Sequence, residues 1–360
     1  MLSLRIWFDI LTPKQVMFFN PAVTLLKESD NELLCTSRHY REAIELAKIK
    51  NLKLKIVGRH GGAERYEKMR ESANRIFELS ALINKFEPDF AITFSSPEGS
   101  RVAFGLGIRH IGFNDSPHAE AVSKLTIPLM DHLFSPWIIP ISAWLKFGIS
   151  RAKITQYRAL DPVAWLIRDR STVSNVCHAG LRKLNIDRQK KIVLIRPEET
   201  KASYIADKML ANSISMVDAI VNSLSDSTNI IILCRYEEQI QQFIERYDER
   251  AFIMRNVVDG TSLTAASEVF IGAGGTMTSE ASLLGKPTIS ISPIRFYVEK
   301  YLVTSGLVKR ASNPMDLVRL TKRMLSSESY KRKQRRLAAC IFGKMEDPIA
   351  KMLSYLNTNT

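Results

Sequence analysis

The stretch from Val269 to Ser292 constrains the fold more than any other part of the sequence. It reads VFIGAGGTMTSEASLLGKPTISIS, in which a short apolar run with β-branched residues is broken by glycines. Met277, Ala281 and Leu284 then recur at helical spacing, and Gly285 follows where a helix would end. A second apolar run closes the stretch. The pattern predicts a strand, a glycine-rich turn, a helix and a second strand.

The glycine-rich turn predicts an anion site. Gly272, Gly274 and Gly275 leave backbone N–H groups uncovered by side chains and allow positive φ angles. Thr276 is expected to be the N-cap of the helix. N–H groups at a helix start attract anions, and Glu280, one turn further on, can accept hydrogen bonds from two adjacent sugar hydroxyls. A glycine-rich turn between a strand and a helix also occurs as simple packing geometry, and the helix dipole alone favours an acid in the first turn. Both interpretations therefore stay open.

The alternation of strand and helix patterns continues along the chain in two blocks. The first block, residues 1–172, starts with the strand pattern LRIWFD, and the second, residues 188–338, starts with an apolar strand pattern at Lys191. This order predicts an α/β protein of two Rossmann-like parallel-sheet domains with their strand ends facing a central cleft. A last helix is expected at about residues 340–357. A length of 360 residues suits two domains, each with its own core.

The charge balance points to an anionic partner. The 51 Lys and Arg against 37 Asp and Glu give a formal net charge of +14. That charge fits a nucleotide sugar, a polyprenyl phosphate, an anionic membrane surface or a nucleic acid, and does not choose among them. No nucleic-acid-binding motif is present, so no nucleic acid is expected.

The remaining composition predicts a cytoplasmic enzyme without a metal or cofactor. The four cysteines are scattered and lack zinc spacing, as is usual for free thiols in a reducing compartment. The N-terminus begins directly with a strand pattern and has no signal-peptide layout. The apolar run Pro136–Phe147, followed by basic residues, suits either peripheral membrane contact or ordinary core packing, and the second is the simpler interpretation.

Polar residues follow the predicted strands of the first block, at the sheet edge where ligands bind. Asp9 ends the first strand, and Pro13 closes the loop that precedes a helix predicted at Gln15–Glu28; Asp9 is either part of the site or a cap of that helix. His60 lies in a basic glycine-rich loop and is either a substrate contact or merely exposed. Ser96 and Glu98 open another helix, where small hydroxyl residues cap a helix or hold an anion.

The loop after the strand at Arg109–Phe113 carries the densest set of ionisable groups. Asp115, His118 and Glu120 are the main candidates for acid–base chemistry, with Glu98 behind them. An Asp/His pair within hydrogen-bond reach can tune the histidine toward neutral pH. The alternative is helix capping, with Glu120 as a first-turn acid.

Several motifs resemble known families. The GAGGTMTSEASLLGKP segment resembles the nucleotide-sugar site of GT-B glycosyltransferases and of UDP-N-acetylglucosamine 2-epimerases. Together with D-x-x-x-P-x-x-V-x-F-F from Asp9, SSPEGSRVAFGL from Ser95 and TQYRALDPVAWL from Thr155, it is similar to the archaeal DUF354 family of GT-B-like proteins. Many relatives have His where this chain has Gln15, which weakens a general-base role for the first loop.

The resemblance implies roles for individual residues. Gly274, Gly275 and Thr276 would face the diphosphate of the donor, within a site running from Gly272 through Met277, and Glu280 would hold the ribose. Arg196, at the end of the first strand of the second block, would clamp the diphosphate, with Lys201 as second candidate; pairing of Arg196 with nearby glutamates is the alternative. The last helix would pack back on the first domain, which would bind the acceptor through Asp9, Pro13, His60 and Ser96.

The favoured function is therefore metal-independent transfer of a sugar from a nucleotide-diphosphate donor, with UDP expected, to a glycosyl acceptor that includes lipid-linked candidates. The second hypothesis is nucleotide-sugar 2-epimerisation. It ranks lower because the G-D-T element of that family is missing after Phe90–Thr93, where Ser95 and Ser96 stand instead. The third is a non-catalytic protein that binds anionic surfaces.

Overall fold

The computed structural model describes residues 3–62, 64–169, 186–197, 208–234 and 236–359. The chain forms two compact units. The first comprises Met1–Ile167 and Glu346–Thr360, and the second comprises Arg168–Met345. The C-terminal residues therefore belong to the first unit. The predicted site residue Lys201 lies outside the described ranges.

The first unit is built on a parallel sheet of seven strands in the order β3-β2-β1-β4-β5-β6-β7. The strands are β1 (Arg5–Asp9), β2 (Glu32–His39), β3 (Lys55–Arg59), β4 (Phe90–Thr93), β5 (Arg109–Phe113), β6 (His132–Pro136) and β7 (Ile154–Tyr157). Chain order reverses between β1 and β4, which are neighbours in the sheet. In parallel sheets this switch point, at the carboxyl ends of the strands, is where ligands bind.

The helices that connect these strands lie on the faces of the sheet. They are α1 (Pro13–Glu28), α2 (Arg41–Ile49), α3 (Arg65–Phe86), α4 (Pro97–Gly105), α5 (Glu120–Thr126), α6 (Ser142–Leu145) and α7 (Val163–Asp169). Helix α3 packs beside α4, and α4 beside α5. Phe18 of α1 fixes that helix on the sheet, because its ring contacts Phe94 at 5.3 Å and Phe113 at 5.0 Å between centroids.

The second unit has a six-stranded parallel sheet in the order β10-β9-β8-β11-β12-β13. Its strands are β8 (Lys191–Arg196), β9 (Thr228–Leu233), β10 (Phe252–Met254), β11 (Val269–Gly272), β12 (Thr288–Ser290) and β13 (Lys309–Arg310). The helices in the remaining described residues are α8 (Lys208–Leu224), α9 (Glu237–Tyr247), α10 (Gly260–Ala266), α11 (Thr276–Leu283), α12 (Tyr297–Thr304), α13 (Pro314–Ser326), α14 (Glu328–Phe342) and α15 (Pro348–Thr358).

Helix α15 belongs to the first unit and packs beside α1. Its residue Tyr355 stacks on His132 of β6 with 4.1 Å between ring centroids, and it meets Phe134 edge-on. Ile349 and Met352 of the same helix are fully buried. Helix α15 therefore completes the hydrophobic core of the first unit. Within the described ranges, no helix is long and apolar enough to cross a membrane.

The structure differs from the sequence predictions in two elements. The TQYRALDPVAWL segment begins inside β7, which pairs with β6, although no strand was predicted there. The two-residue strand β13, which pairs with β12, was also not predicted. Both strands are short edge strands, and their hydrogen bonds depend on a neighbour that local sequence patterns do not reveal.

Candidate functional site

The glycine turn lies at the switch point of the second sheet. Strand β11 ends at Gly272, whose register partner is Arg196 at the end of β8. Strands β9 and β10 extend the sheet beyond β8, and β12 and β13 extend it beyond β11. The turn that follows Gly272 therefore begins where ligands bind in parallel sheets of this kind.

Helix α11 begins without a side-chain cap. Gly274 and Gly275 have φ angles of 91° and 81°, a backbone conformation that residues with a Cβ atom rarely adopt. The N-cap is Gly275, which makes no side-chain cap hydrogen bond. The sequence prediction that Thr276 is the N-cap is wrong: Thr276 is the first helical residue. Because the cap is a glycine, the N–H groups of the first turn stay open to an anion.

Glu280 lies inside this helix and is buried. Its carboxylate accepts a hydrogen bond from the Thr261 hydroxyl of α10. Met277, one turn earlier, packs against the apolar core of the unit. The structure thus brings Glu280 beside the turn, with Thr261 as a partner that the sequence did not reveal.

Arg196 is held toward the neighbouring strand. Its Nη1 atom donates to the backbone carbonyls of Leu233, at 2.7 Å, and Cys234, at 2.9 Å. These carbonyls lie at the end of β9, so the guanidinium is positioned at the carboxyl edge of the sheet. The glutamates considered as the alternative partners of Arg196, Glu198 and Glu199, lie outside the described residues.

A second charged group lies on the other side of the turn. The Ser292 hydroxyl lies about 3.2 Å from the position that a Cβ atom on Gly274 would occupy. Arg310 donates to the Ser292 carbonyl and, at 2.6 Å, to Glu299. Glu299 also accepts from Ser290 at 2.6 Å, and burial raises its pKa. Neither Glu299 nor Arg310 was predicted from the sequence, and Arg310 lies on β13, which was not predicted either.

In the first unit, Asp9 is part of a buried network that we call the arginine network (Asp9, Thr36, Arg75, Ser96 and Glu98). Arg75 binds both carboxylate oxygens of Asp9, with its Nη2 atom 2.5 Å from Oδ1 and its Nη1 atom 3.0 Å from Oδ2. Ser96 and Thr36 donate to the same carboxylate at 2.6 and 2.7 Å. Burial opposes ionisation of Asp9, but Arg75 holds its pKa below the ordinary value.

These contacts alter the sequence interpretation of three residues. Asp9 is fully buried and does not cap α1, whose N-cap is Thr12, with Pro13 as the first helical residue. Ser96 is buried and caps α4, because its hydroxyl accepts from the Gly99 N–H at 3.0 Å. Glu98 is buried between Ser72, 2.8 Å away, and Arg75, 3.5 Å away. The network stabilises the sheet edge and leaves these groups little access to a substrate.

A second group, which we call the lysine cluster, consists of Lys14, Asp115, Tyr157 and Asp161. These residues lie at or after the ends of strands β1, β5 and β7. Lys14 Nζ lies 2.7 Å from Asp115 Oδ2 and 2.7 Å from Asp161 Oδ2. It also lies 4.1 Å from the centroid of the Phe94 ring. The Tyr157 hydroxyl donates to Asp161 at 2.5 Å. The lysine and Asp115 side chains remain about one-fifth exposed, at 19% and 20%, whereas Asp161 is buried.

The pKa values of the two carboxyl groups in the lysine cluster are shifted in opposite directions. Burial raises the pKa of Asp161 to about 6, with the Asp115 carboxylate adding to the shift and Lys14 opposing it. Burial acts in the same direction on Asp115, but Lys14 and the Ser116 hydroxyl hold the pKa of Asp115 below its ordinary value. Two adjacent carboxyl groups with separated pKa values are typical of sites that move protons.

The other predicted residues of the first unit lie apart from these two groups or at their edge. Burial lowers the pKa of His118, and the Asp115 carboxylate acts against that shift. Glu120 is exposed and pairs with Lys124 at 3.0 Å, as a first-turn acid of α5. His60 is exposed, and its Nδ1 atom accepts from the Gly62 N–H at 3.0 Å. The predicted acids therefore do not form one set.

The sequence contained a signal for the missed members of the lysine cluster. Lys14 directly follows Pro13 of the D-x-x-x-P pattern, and Tyr157 and Asp161 lie in the TQYRALDP segment. Both segments follow or include strands of one parallel sheet, whose carboxyl ends share an edge. Among the described residues, no group of three or more His, Cys, Asp or Glu side chains could hold a metal ion.

Residues 4–353 match the family described as "Protein of unknown function (DUF354)". The chain belongs to the DUF354 family. A relative, an uncharacterized protein of Methanocaldococcus jannaschii, is 29% identical over 306 residues, which cover 84% of this chain and 86% of the relative. The family resemblance inferred from the motifs is thereby confirmed.

Solved structures with the same fold include epimerases and glycosyltransferases. The UDP-GlcNAc 2-epimerase of Neisseria meningitidis, bound to UDP-GlcNAc, aligns with a TM-score of 0.75 at 15% identity over 99% of this chain and 100% of the epimerase. The Methanocaldococcus jannaschii UDP-GlcNAc 2-epimerase, in complex with UDP-GlcNAc and UDP, gives 0.73 at 16% identity over 98% and 99%. The glycosyltransferase SnogD of Streptomyces nogalater gives 0.62 at 12% identity over 99% and 100%. The predicted GT-B fold of this DUF354 protein is confirmed.

Proposed function

We propose that this DUF354 protein transfers a sugar from a nucleotide-diphosphate donor to an acceptor hydroxyl, with the second unit holding the donor. The observation that carries the proposal is the uncapped start of α11 at Gly274 and Gly275, on the switch point of the second sheet. Open N–H groups at a helix start stabilise a diphosphate and its developing charge. Two of the solved structures described above were determined with UDP-GlcNAc, which makes UDP-sugars the first donors to test.

The chemistry assigned to the first unit is proton transfer by the lysine cluster. The acceptor hydroxyl gives its proton to a carboxylate as its oxygen bonds to the anomeric carbon, and the bond from that carbon to the diphosphate breaks. We assign Asp115 as the base, because it is more exposed than Asp161. Asp161, buried against Tyr157 and Lys14, holds the lysine in place and is a positioning residue.

Epimerisation at carbon two of the sugar is the second candidate. One observation favours it: Asp115 and Asp161 both contact one lysine, so two carboxyl groups of different pKa are within reach of the same substrate. The separation of Glu98 and Glu120 from that pair favours transfer instead, because epimerisation by elimination needs several carboxylates around one sugar. Incubation with UDP-GlcNAc alone in deuterium oxide separates the two. An epimerase incorporates deuterium at carbon two, whereas a transferase without acceptor does not.

The donor site is tested by calorimetric titration with UDP and UDP-GlcNAc. Gly275→Ala should weaken binding at least tenfold, because alanine is strained at this φ angle and its methyl group would occupy the open space at the helix start. Gly306→Ala is the matched control: Gly306 has a similar φ of 79° and would place a methyl group in ordinary contact with Leu337. The proposal fails if wild type binds no nucleotide at millimolar concentration. It also fails if the two variants lose affinity equally. In the first case, salt-dependent binding to anionic surfaces becomes the better account.

A further inference from the structure

Helix α3 presents an apolar stripe to solvent. Tyr66, Met69 and Phe77 are 74%, 70% and 78% exposed, far more than apolar side chains of this size usually are in a surface helix. The opposite face of the helix is buried, with Leu79 and Ile83 in the core of the first unit. The exposed stripe is therefore separate from the helix face that packs against the core of the first unit.

The stripe has a symmetric spacing. Met69 and Phe77 are each four residues from Ala73, and Tyr66 and Ser80 are each seven residues from it. Residues spaced by four and seven lie on one side of a helix. Ala73 is also exposed, so the small residue at the centre of the stripe leaves room for another helix. In an antiparallel pair of α3 helices related by a two-fold axis at Ala73, each Met69 would meet the Phe77 of the other copy.

We propose that α3 is the contact surface between two copies of this chain, paired antiparallel about Ala73. A two-fold interface uses the same patch on both copies and must be self-complementary, which the spacing around Ala73 satisfies. This proposal is independent of the donor site and of the reaction.

The area available suits a dimer. Helix α3 has 22 residues and is about 33 Å long. Covering Tyr66, Met69 and Phe77 on each copy would bury on the order of 1,000 Å² in total, close to the lower limit for a specific interface.

The charges beside the stripe favour a second copy over an anionic membrane. Arg70 is already paired with Glu67, at 2.5 Å, and with Glu71, at 3.3 Å, on its own helix. Glu78 adds a further acid near Phe77. A bilayer of anionic lipid would attract unopposed basic side chains, whereas charges of both signs bordering an apolar stripe are tolerated in a protein interface.

The first test is sedimentation of the full chain at about 1–100 μM. The wild type should be a dimer, and Phe77→Lys should be a monomer with unchanged circular dichroism. Met315→Lys is the matched control, because Met315 is 83% exposed in the second unit. This variant should stay dimeric. A monomeric wild type overturns the proposal, as does a dimer that Phe77→Lys leaves intact. A wild type that floats as a monomer with phosphatidylglycerol vesicles, and loses this with Phe77→Lys, also overturns it and assigns the stripe to a membrane.

The second test locates the axis and does not depend on Phe77. Under mild oxidation, Ala73→Cys should form a disulfide with its own copy, because residues on a two-fold axis meet themselves. Asn74→Cys, equally exposed but turned by about 100° around the helix, should not cross-link. The wild type with its native cysteines gives the background. Equal cross-linking of the two variants contradicts the antiparallel pairing.

Discussion

Lys14 contacts two acids whose pKa values are shifted in opposite directions. Lys14 holds the pKa of Asp115 below its ordinary value against the effect of burial, whereas burial together with the Asp115 carboxylate raises the pKa of Asp161 to about 6. Arg75 binds both carboxylate oxygens of Asp9, and its second acid, Glu98, lies further away at 3.5 Å. Basic side chains thus keep the pKa of Asp9 low, but they leave the pKa of Asp161 raised.

The first prediction concerns the acids of the lysine cluster. Because burial and Asp115 raise the pKa of Asp161, a carbon-detected NMR titration should show an aspartate that titrates at about pH 6. Its folded-state pKa lies above the ordinary 3.8, so the folded state takes up this proton first as the pH falls. This group alone therefore favours the folded state increasingly between pH 6 and 3.8.

Two variants make this titration specific. Asp161→Asn should remove it, and Asp115→Asn should shift it to lower pH, because the neighbouring negative charge is gone. Asp316→Asn, on a helix of the second unit, should leave it unchanged. A spectrum in which every aspartate titrates below pH 5 would refute the assignment.

The second prediction concerns the arginine network. Arg75→Met should lower the free energy of unfolding by about 3–5 kcal/mol, because it leaves the buried Asp9 carboxylate without its counter-ion. Denaturant unfolding measures the change. Arg246→Met, which breaks the exposed pair with Asp218, is the control and should cost far less. Similar losses of stability in the two variants would mean that other groups stabilise the buried Asp9 carboxylate without Arg75.

At the scale of elements, the order of strands and helices was largely predictable from apolar periodicity. The strands Phe90–Thr93 and Arg109–Phe113 have the predicted bounds. Side-chain partners were not predictable in the same way. No local pattern around Asp9 indicates that Arg75 is its partner, because the two residues are 66 positions apart and meet only in the folded protein. Lys331 is likewise buried, and no local pattern indicates its pairing with the distant Glu268.

The third prediction concerns the end of β11. A Cβ atom on Gly272 would lie about 2.6 Å from the Phe270 ring and would also collide with the Thr278 hydroxyl. Gly272→Ala should therefore destabilise the second unit by roughly 1–3 kcal/mol through overpacking. Gly105→Ala is the control, since its methyl group would meet only the end of the Arg101 side chain. Equal stability of the two variants would show that the turn tolerates a side chain, and would weaken the argument from its glycines.

At the scale of the whole molecule, the chain leaves its first unit and returns to it. Residues 346–360 complete that unit through α15, whose buried residues pack there although about 180 residues separate them from the rest of it. The two units thus depend on different parts of the sequence. A destabilising substitution in α15 should therefore lower the stability of the first sheet and leave that of the second sheet unchanged.

The fourth prediction tests this dependence. Met352 is fully buried, so Met352→Ala should lower the stability of the first unit by about 2–5 kcal/mol. Hydrogen exchange read by mass spectrometry should show lost protection in strands β1 to β7 and unchanged protection in β8 to β13. Met315→Ala, at an exposed position, should change neither set. Loss of protection confined to the second sheet would contradict the assignment of α15 to the first unit.

The proposed function depends above all on a nucleotide diphosphate bound at the start of α11. A crystal structure of the wild-type chain grown with UDP tests this binding. Diphosphate oxygens should lie within hydrogen-bond distance of the N–H groups of Gly275 and Thr276, with Arg196 near the same phosphates and the ribose hydroxyls at Glu280. A diphosphate bound elsewhere, with the first turn of α11 unoccupied, would contradict it.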